Sequence, residues 1–482
     1  MHYKVSIINP SQHFIKFEWI IEHIHQDSIH IQLPSWRPGR YELQNYAKNI
    51  RYFAINDENG NLIPFIKVTK DCWEVDTKNV HQLFITYEYY ANQYDAGASY
   101  VDERQMYINP VNCMMYMIGR MDESYEVELT IPDDYQIACQ LPVKGKKLEA
   151  KNFDELADSP FIASATIQHE LFSIDQINIH FWFQGNHQLN IEQLKIDTRK
   201  YVLKQIEIYG DLPCIDYHFL YHFSETPLRH GVEHCNSTVI AMGKLLEQSD
   251  DDFYNDLLAI SSHEFFHLWN IKRIRPADMF PYDFTKENYS TLGYVYEGVT
   301  TYYGDLMLWR AGVWSWEQYC KSFESDLKRH VENFGRFNYS VAESSFDTWL
   351  DGYTQGVSGR KVSIYIEGML AAFIADVMII RHSKLKYSLD DVMKELYQNF
   401  YKHGKGYTED DYKKLLEKYS GISFEKYFSE IIWGKNNFEK YFEEIIEYLG
   451  CNLLFSAFKL AKNLESSEDQ NKLFLRWGRS NG

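Results

Sequence analysis

His263-Glu264-Phe265-Phe266-His267 sets two imidazoles four residues apart, with a carboxylate directly after the first. On a helix, positions four apart share one face. Both rings can therefore grip one zinc ion, while Glu264 leans over the water that the ion holds. The flanking sequence supports a helix. Ser249 with Asp250 and Asp251 makes an N-terminal cap, and Phe253, Leu257 and Ile260 mark an apolar stripe. This helix is predicted to carry both histidines as far as Trp269, before Pro276 stops it.

A catalytic zinc usually takes three protein ligands and keeps one position for water. The third ligand should come from a neighbouring element. A second helical run, from about Tyr289 to Arg310 and ending near Gly312, carries Glu297. The side chains around that carboxylate are apolar or aromatic: Tyr294, Val295, Tyr296, Val299 and Tyr302. A glutamate in such a setting needs a partner to offset its desolvation. His263, His267 and Glu297 are thus the expected metal ligands, holding one Zn²⁺ per chain.

Away from this centre the period of the sequence changes. Residues 1 to about 165 read as β, with alternating runs at Phe14–Ile21, Ser28–Leu33 and Leu83–Tyr90 and a turn at Asp57-Glu-Asn-Gly-Asn61. A β-sandwich of mostly antiparallel strands is the simplest architecture for them. A further strand at Tyr217–Phe223 leads to Gly231-Val232-Glu233-His234. From about residue 240 the pattern is helical, and beyond 360 it is nearly all so, with Thr408-Glu-Asp-Asp411 opening a late helix. The expected fold is a multidomain α+β chain. Its parts are an N-terminal β-sandwich domain (1–165), a catalytic domain (166–345) and a C-terminal α-helical domain (346–482). The end at Ser480-Asn481-Gly482 is polar and expected to fray.

Composition narrows the function. Of the 482 residues, 45% are hydrophobic and 24% charged, the balance of a soluble globular protein. The 37 Tyr and 30 Phe supply large cores and an aromatic-lined cleft. A net charge of −19 would repel phosphate backbones and anionic lipid, so neither nucleic acid nor membrane is expected as a partner. The apolar run Gly368–Ile380 is short and holds Asp376, which makes it a buried helix and not a membrane span. Seven scattered cysteines, none in a C-x-x-C pair, fit thiols in a reducing compartment. With no basic and apolar leader after Met1, a cytoplasmic location is expected.

The run His263-Glu-Phe-Phe-His-Leu-Trp-Asn-Ile-Lys-Arg-Ile-Arg-Pro276 resembles the signature of the glycyl aminopeptidase family of zinc metallopeptidases. Other stretches share the likeness: Phe284–Tyr289, Tyr296-Glu-Gly298, Tyr302-Tyr-Gly-Asp305, Ala342–Asp347, Leu33–Tyr41 and Tyr100–Glu103. It spans nearly the whole chain, to about residue 450. The family is of the gluzincin type, so the resemblance implies a thermolysin-like catalytic domain with glutamate as third ligand. It also implies Glu264 as general base and proton shuttle, acting on a water made acidic by zinc.

Two further roles come from the resemblance. Related zinc aminopeptidases stabilise the oxyanion with a tyrosine in a Y-x-K-G pattern. Tyr365 in Tyr365-Ile366-Glu367-Gly368 occupies that place, with Glu367 where lysine is common. An aminopeptidase must also hold a free α-ammonium group, for which a carboxylate is the natural partner. Glu233 stands where relatives carry a Gly-rich strand ending in Glu; Asp102 and Glu103 are further candidates. Lys272, Arg273 and Arg275 come directly after the zinc helix and read as ion pairs at its C-terminal end. His218, His222, His230 and His234 read as structural.

The expected activity is therefore zinc-dependent removal of the first residue of short peptides, with Gly or Ala preferred. The alternatives are a zinc endopeptidase of the same fold and a non-catalytic peptide-binding relative. Members of the family commonly end in a PDZ domain. Too few residues remain after the helical region here for such a fold, so the chain reads as a member lacking it, by nature or by truncation.

Overall fold

The computed structural model describes residues 1–435, 439–454 and 457–478. The expectation of a frayed Ser480–Gly482 lies outside these. The chain forms two compact units. The first comprises Met1–Gln188, Cys214–Ser249 and Asp283–Glu287; the second comprises Leu189–Pro213, Asp250–Tyr282 and Asn288–Gly482.

The first unit is sheet-rich. Phe14–Ile21 buries every second side chain (Ile15, Phe17, Trp19, Ile21), as alternation demands. It pairs antiparallel with His2–Asn9 on one side and with Leu83–Tyr90 on the other. The register sets Phe17 opposite Tyr87, and their rings stack at 5.0 Å. One pairing departs from the antiparallel expectation: His2–Asn9 runs parallel to Tyr125–Thr130 within this seven-stranded sheet. A four-stranded sheet containing Cys72–Asp76 faces it, with Phe53 stacked on Trp73 at 4.7 Å.

A five-stranded mixed sheet lies in the same unit. Its strands are ordered Gln168–Ile174, Ile177–Gln184, Asp216–Phe223, Ser237–Gly243 and Leu228–Glu233. The inner three are parallel, and Asp216–Phe223 and Ser237–Gly243 are buried almost throughout, as strands covered on both faces are. Trp182, Leu220, Val232 and Val239 from this sheet share one core with Tyr107, Ala138 and Ile162. That shared core is why these strands cluster with the N-terminal sheets.

The second unit is mainly helical. Its helices include Ile191–Tyr209, Asp250–Phe266, Thr300–Arg310, Trp316–Glu332 and Ile364–His382. The last of these is the buried helix expected around Gly368–Ile380, with Asp376 inside it. Asp376 is answered by Arg310, whose guanidinium also bonds Asp390 at 3.0 Å, while Tyr302 donates to Asp376 at 2.6 Å. The late helix opened by Thr408 has the anticipated capping box with Asp411. A hairpin of Cys451–Leu454 with Lys459–Lys462 interrupts the helical pattern expected there. Among the described residues no helix is long and apolar enough to cross a membrane, and no disulfide is formed.

Candidate metal centre and active site

The helix carrying the first histidine begins with Asp250, Asp251 and Asp252, three carboxylates that favour the positive end of its dipole. It ends at Phe266, three residues before the expected stop. Beyond it the hydrogen bonds tighten: Leu268 N–H reaches Phe265 and Trp269 N–H reaches Phe266. His267 therefore sits in the first turn past the helix and not within it. Ile271, a buried β-branched residue, is held at φ 97° in the adjoining loop. Such a conformation persists only where the surroundings enforce it.

Two contacts bring His263 to its partners. A Cβ added at Gly304 would lie 3.2 Å from the Cα of His263, so this glycine lets the Thr300–Arg310 helix approach the Asp250–Phe266 helix closely. Next to it, Ser262 Oγ donates to the Gly304 carbonyl at 2.7 Å, and Gln205 donates to Ser262. The crossing is thus tied by side chains as well as packed.

Glu297 lies in a π-helical turn, Tyr294–Val299, which leads directly into the Thr300–Arg310 helix. The single helical run expected from Tyr289 is therefore a non-helical approach, then a π turn, then an α-helix. Widened turns of this kind recur at functional sites. Asn270 holds this one in place. Its Nδ2 donates to the Val295 carbonyl at 2.9 Å and to Thr300 Oγ1 at 3.0 Å. The carbonyl of the same residue pairs with His267 Nδ1 at 2.7 Å. A carbonyl only accepts, so Nδ1 carries the proton and Nε2 presents its lone pair to the centre.

The resulting geometry could hold one metal ion. His263 Nε2 and His267 Nε2 are 3.1 Å apart, with Glu297 Oε2 3.4 Å from His267 Nε2 and 3.8 Å from His263 Nε2. Three donors bound at about 2.0–2.1 Å in a tetrahedron stand roughly 3.3 Å apart. Glu297 and His267 are buried and His263 is partly open. This fits zinc, with its borderline preference for imidazole and carboxylate. Glu264, one position after His263, is buried beside this set on the same helix.

Tyr365 is the second residue of the Ile364–His382 helix, which Ser363 caps. Its ring lies 6.5 Å from that of His263, centroid to centroid. Glu367, two positions on, accepts from His330 Nδ1 at 2.7 Å and is buried against the Trp316–Glu332 helix. The carboxylate standing where lysine is common thus has its own basic partner.

Glu233 belongs to the first unit, at the end of the Leu228–Glu233 strand, and is 5% exposed. Gly39 packs against it so closely that a Cβ there would lie 2.6 Å from Oε2. One oxygen, Oε1, is buried without a hydrogen-bond partner among the described residues. Asp102 caps its own turn, accepting from the N–H groups of Arg104 and Gln105. The four histidines read as structural have partners, His230 facing Asp95 at 3.8 Å. His222 meets Gln105 at 2.7 Å, His218 accepts from the Trp182 indole at 3.1 Å, and His234 pairs with Asp158. Burial pushes both His218 and His222 down to about 3. Arg273 donates to the Leu268 carbonyl at 2.7 Å, and Arg275 stacks over Tyr282, so both brace the end of the metal-binding helix.

The roles of Asn270 and Gly304 are not evident from sequence. Asn270 sits inside the His263–Pro276 run, and an asparagine three residues after a ligand, amid apolar neighbours, is the signal that points to it.

The N-terminal domain of peptidase M61 matches residues 2–165, and the M61 glycyl aminopeptidase family matches residues 256–371. No curated protein sequence matches the chain. Among solved structures, it is similar to an aminopeptidase N family protein from Idiomarina loihiensis at 27% identity, with a TM-score of 0.88 over 93% of this chain and 78% of that one. An M1 zinc metallopeptidase from Deinococcus radiodurans shares the fold at 12% identity and a TM-score of 0.57, covering 91% and 94% of the two chains. Aminopeptidase A of Legionella pneumophila does so at 12% identity and a TM-score of 0.53, over 90% of this chain and 49% of that one. With two models of one family matching more than half of its length, the chain belongs to the M61 glycyl aminopeptidase family and is a peptide-bond hydrolase.

Proposed function

We propose that this protein is a zinc-dependent aminopeptidase that removes Gly or Ala from the N-terminus of short peptides. The observation that carries the reading is the convergence of His263, His267 and Glu297 within one ion's reach, with Glu264 buried beside them. When bound, zinc would polarise the scissile carbonyl and lower the pKa of a water toward 7.

Glu264 accepts the proton of the attacking water and delivers it to the leaving amine as the C–N bond breaks. Tyr365 donates its phenolic hydrogen to the carbonyl oxygen as negative charge develops there. Glu233 is proposed as partner of the substrate's α-ammonium. Its buried carboxylate has one oxygen unmatched among the described residues, which a cation would satisfy. The family description, glycyl aminopeptidase, supports Gly at the N-terminus. The similarity to M1 zinc metallopeptidases, one of them bound to the peptide Tyr-Ser-Ala, supports both the zinc and the peptide substrate. A β-sandwich (1–165), a thermolysin-like catalytic domain (166–345) and a helical domain (346–482) complete the proposal, as does a cytoplasmic location.

The test combines metal analysis with a panel of aminoacyl-amide substrates, with and without chelator. One zinc per chain and chelator-sensitive release of Gly and Ala are expected. Equal cleavage of an N-acetylated peptide would point to the endopeptidase alternative.

A further inference from the structure

Within the second unit, a cavity of about 290 Å³ opens beside Tyr365. Tyr353 and Val357 give it apolar walls, and Asp351, Arg360 and Lys361 line it with charge. The charges are not equivalent. Arg360 is consumed by two carboxylates, bonding Asp351 at 2.6 Å and Asp347 at 2.7 Å. Lys361 has Asp351 as its ion-pair partner among the described residues, 3.7 Å away, and that carboxylate is already engaged by Arg360. This separation is longer than a hydrogen bond. Burial lowers the Lys361 ammonium from its ordinary range, more than Asp351 raises it. Asp347 and Asp351 together balance Arg360 and Lys361, yet among the described residues Lys361 has no carboxylate at hydrogen-bond distance.

The backbone fixes this lysine in place. Its carbonyl accepts from Asn333 Nδ2 at 3.1 Å, and a Cβ added to Gly335 would lie 2.4 Å from the same oxygen. A peptidase that takes Gly or Ala before the scissile bond needs no cavity of this size for that residue. The space next to Tyr365 is then left for the leaving portion of the peptide.

We infer that this cavity receives the substrate beyond the scissile bond, and that Lys361 selects peptides placing a carboxylate there. The inference rests on the aminopeptidase reading. It names the substrate class: short peptides whose own C-terminus, or an acidic side chain near it, meets the ammonium.

Binding without turnover tests it. In Glu264→Gln protein the probes are Gly-Ala-Ala, its C-terminal amide, and Gly-Asp-Ala amide. At least one carboxylate-bearing probe is expected to bind about tenfold more tightly than Gly-Ala-Ala amide, as a charged hydrogen bond would give. Whichever does so identifies the source of the carboxylate. Lys361→Met should bring the dissociation constants together while leaving that of Gly-Ala-Ala amide unchanged; Lys361→Arg should keep them apart. The difference should also shrink as salt is raised. Equal or unmeasurable binding of all three probes, or a preference that survives in Lys361→Met, overturns the inference. Failure of the aminopeptidase reading shows separately, as absent turnover of glycyl-amide substrates by the wild-type protein.

Discussion

Gly298 and Gly368 meet backbone to backbone where the Tyr294–Val299 turn crosses the Ile364–His382 helix. A Cβ on Gly298 would lie 2.4 Å from the Cα of Gly368, and one on Gly368 would lie 2.7 Å from the Cα of Gly298. Each glycine is the immediate neighbour of a glutamate, Glu297 on one side and Glu367 on the other. The crossing thus sets how far the third proposed metal ligand stands from the helix that carries Tyr365. Gly298→Ala should force the two elements apart and destabilise the fold by about 1–3 kcal/mol. It should also lower zinc retention, read by thermal unfolding and metal content together. An alanine variant with wild-type values of both would show that the crossing has slack.

Glu264→Gln keeps the size of the side chain and removes its basicity. Turnover should fall by about 10²–10⁴-fold. Zinc content should not change, because Glu264 is not one of the three ligands. Substantial remaining activity would take Glu264 out of the proton transfer.

Glu297→Ala removes a proposed ligand, whereas Asn270→Ala keeps the carbonyl that meets His267 and removes only the amide that anchors the turn carrying Glu297. Loss of an orienting partner typically costs roughly 10- to 100-fold in metal affinity. Glu297→Ala should cost more than that, and Asn270→Ala should fall within it, by competitive chelator titration. The reverse order would contradict the assignment.

Tyr365→Phe deletes one hydroxyl at a partly buried position. It should reduce kcat by about 10²–10³-fold with little change in KM, since the bond it makes strengthens only as charge develops. An equal rise in KM would assign the hydroxyl to substrate binding.

His222 gives the first unit a pH signature. Its folded pKa, held down to about 3 by burial, lies below the value near 6.5 expected when unfolded. Above pH 6.5 both states are neutral there and nothing is gained or lost. Below it, the unfolded chain takes up a proton that the folded one excludes, so stability falls by about 1.4 kcal/mol per pH unit for each such histidine. Urea unfolding at pH 7 and pH 5 should show this loss, and His222→Gln should reduce it. An identical pH slope in the variant would mean that His222 is not held neutral.

Sequence made the strands legible because they depend on a simple period, and it pointed to the three residues that the structure brings together. Phe14–Ile21 and Leu83–Tyr90 alternate strictly, and the structure returns them residue for residue. Glu297 stands among apolar neighbours that demanded a partner, and His263 was marked by its four-residue spacing from His267. The π turn at Tyr294–Val299 left no such trace, since a widened turn has no period of its own and depends on what packs against it. The early end of the metal-binding helix was equally hidden. It is set by Asn270, whose bonds reach across to the next element. The grouping of the five-stranded sheet with the N-terminal sheets rests on a core shared between residues more than a hundred positions apart, such as Tyr107 and Leu220.

Asn270 has a consequence for how the chain meets its metal. It touches both His267 and the turn holding Glu297 through neutral hydrogen bonds that need no ion. Zinc fingers gain their folding energy from the metal because their ligands are scattered until it arrives. Here the ordering of the ligands is completed by the polypeptide itself. Removing zinc should therefore silence this protein without melting it, and restoring the ion should bring activity back without a refolding step.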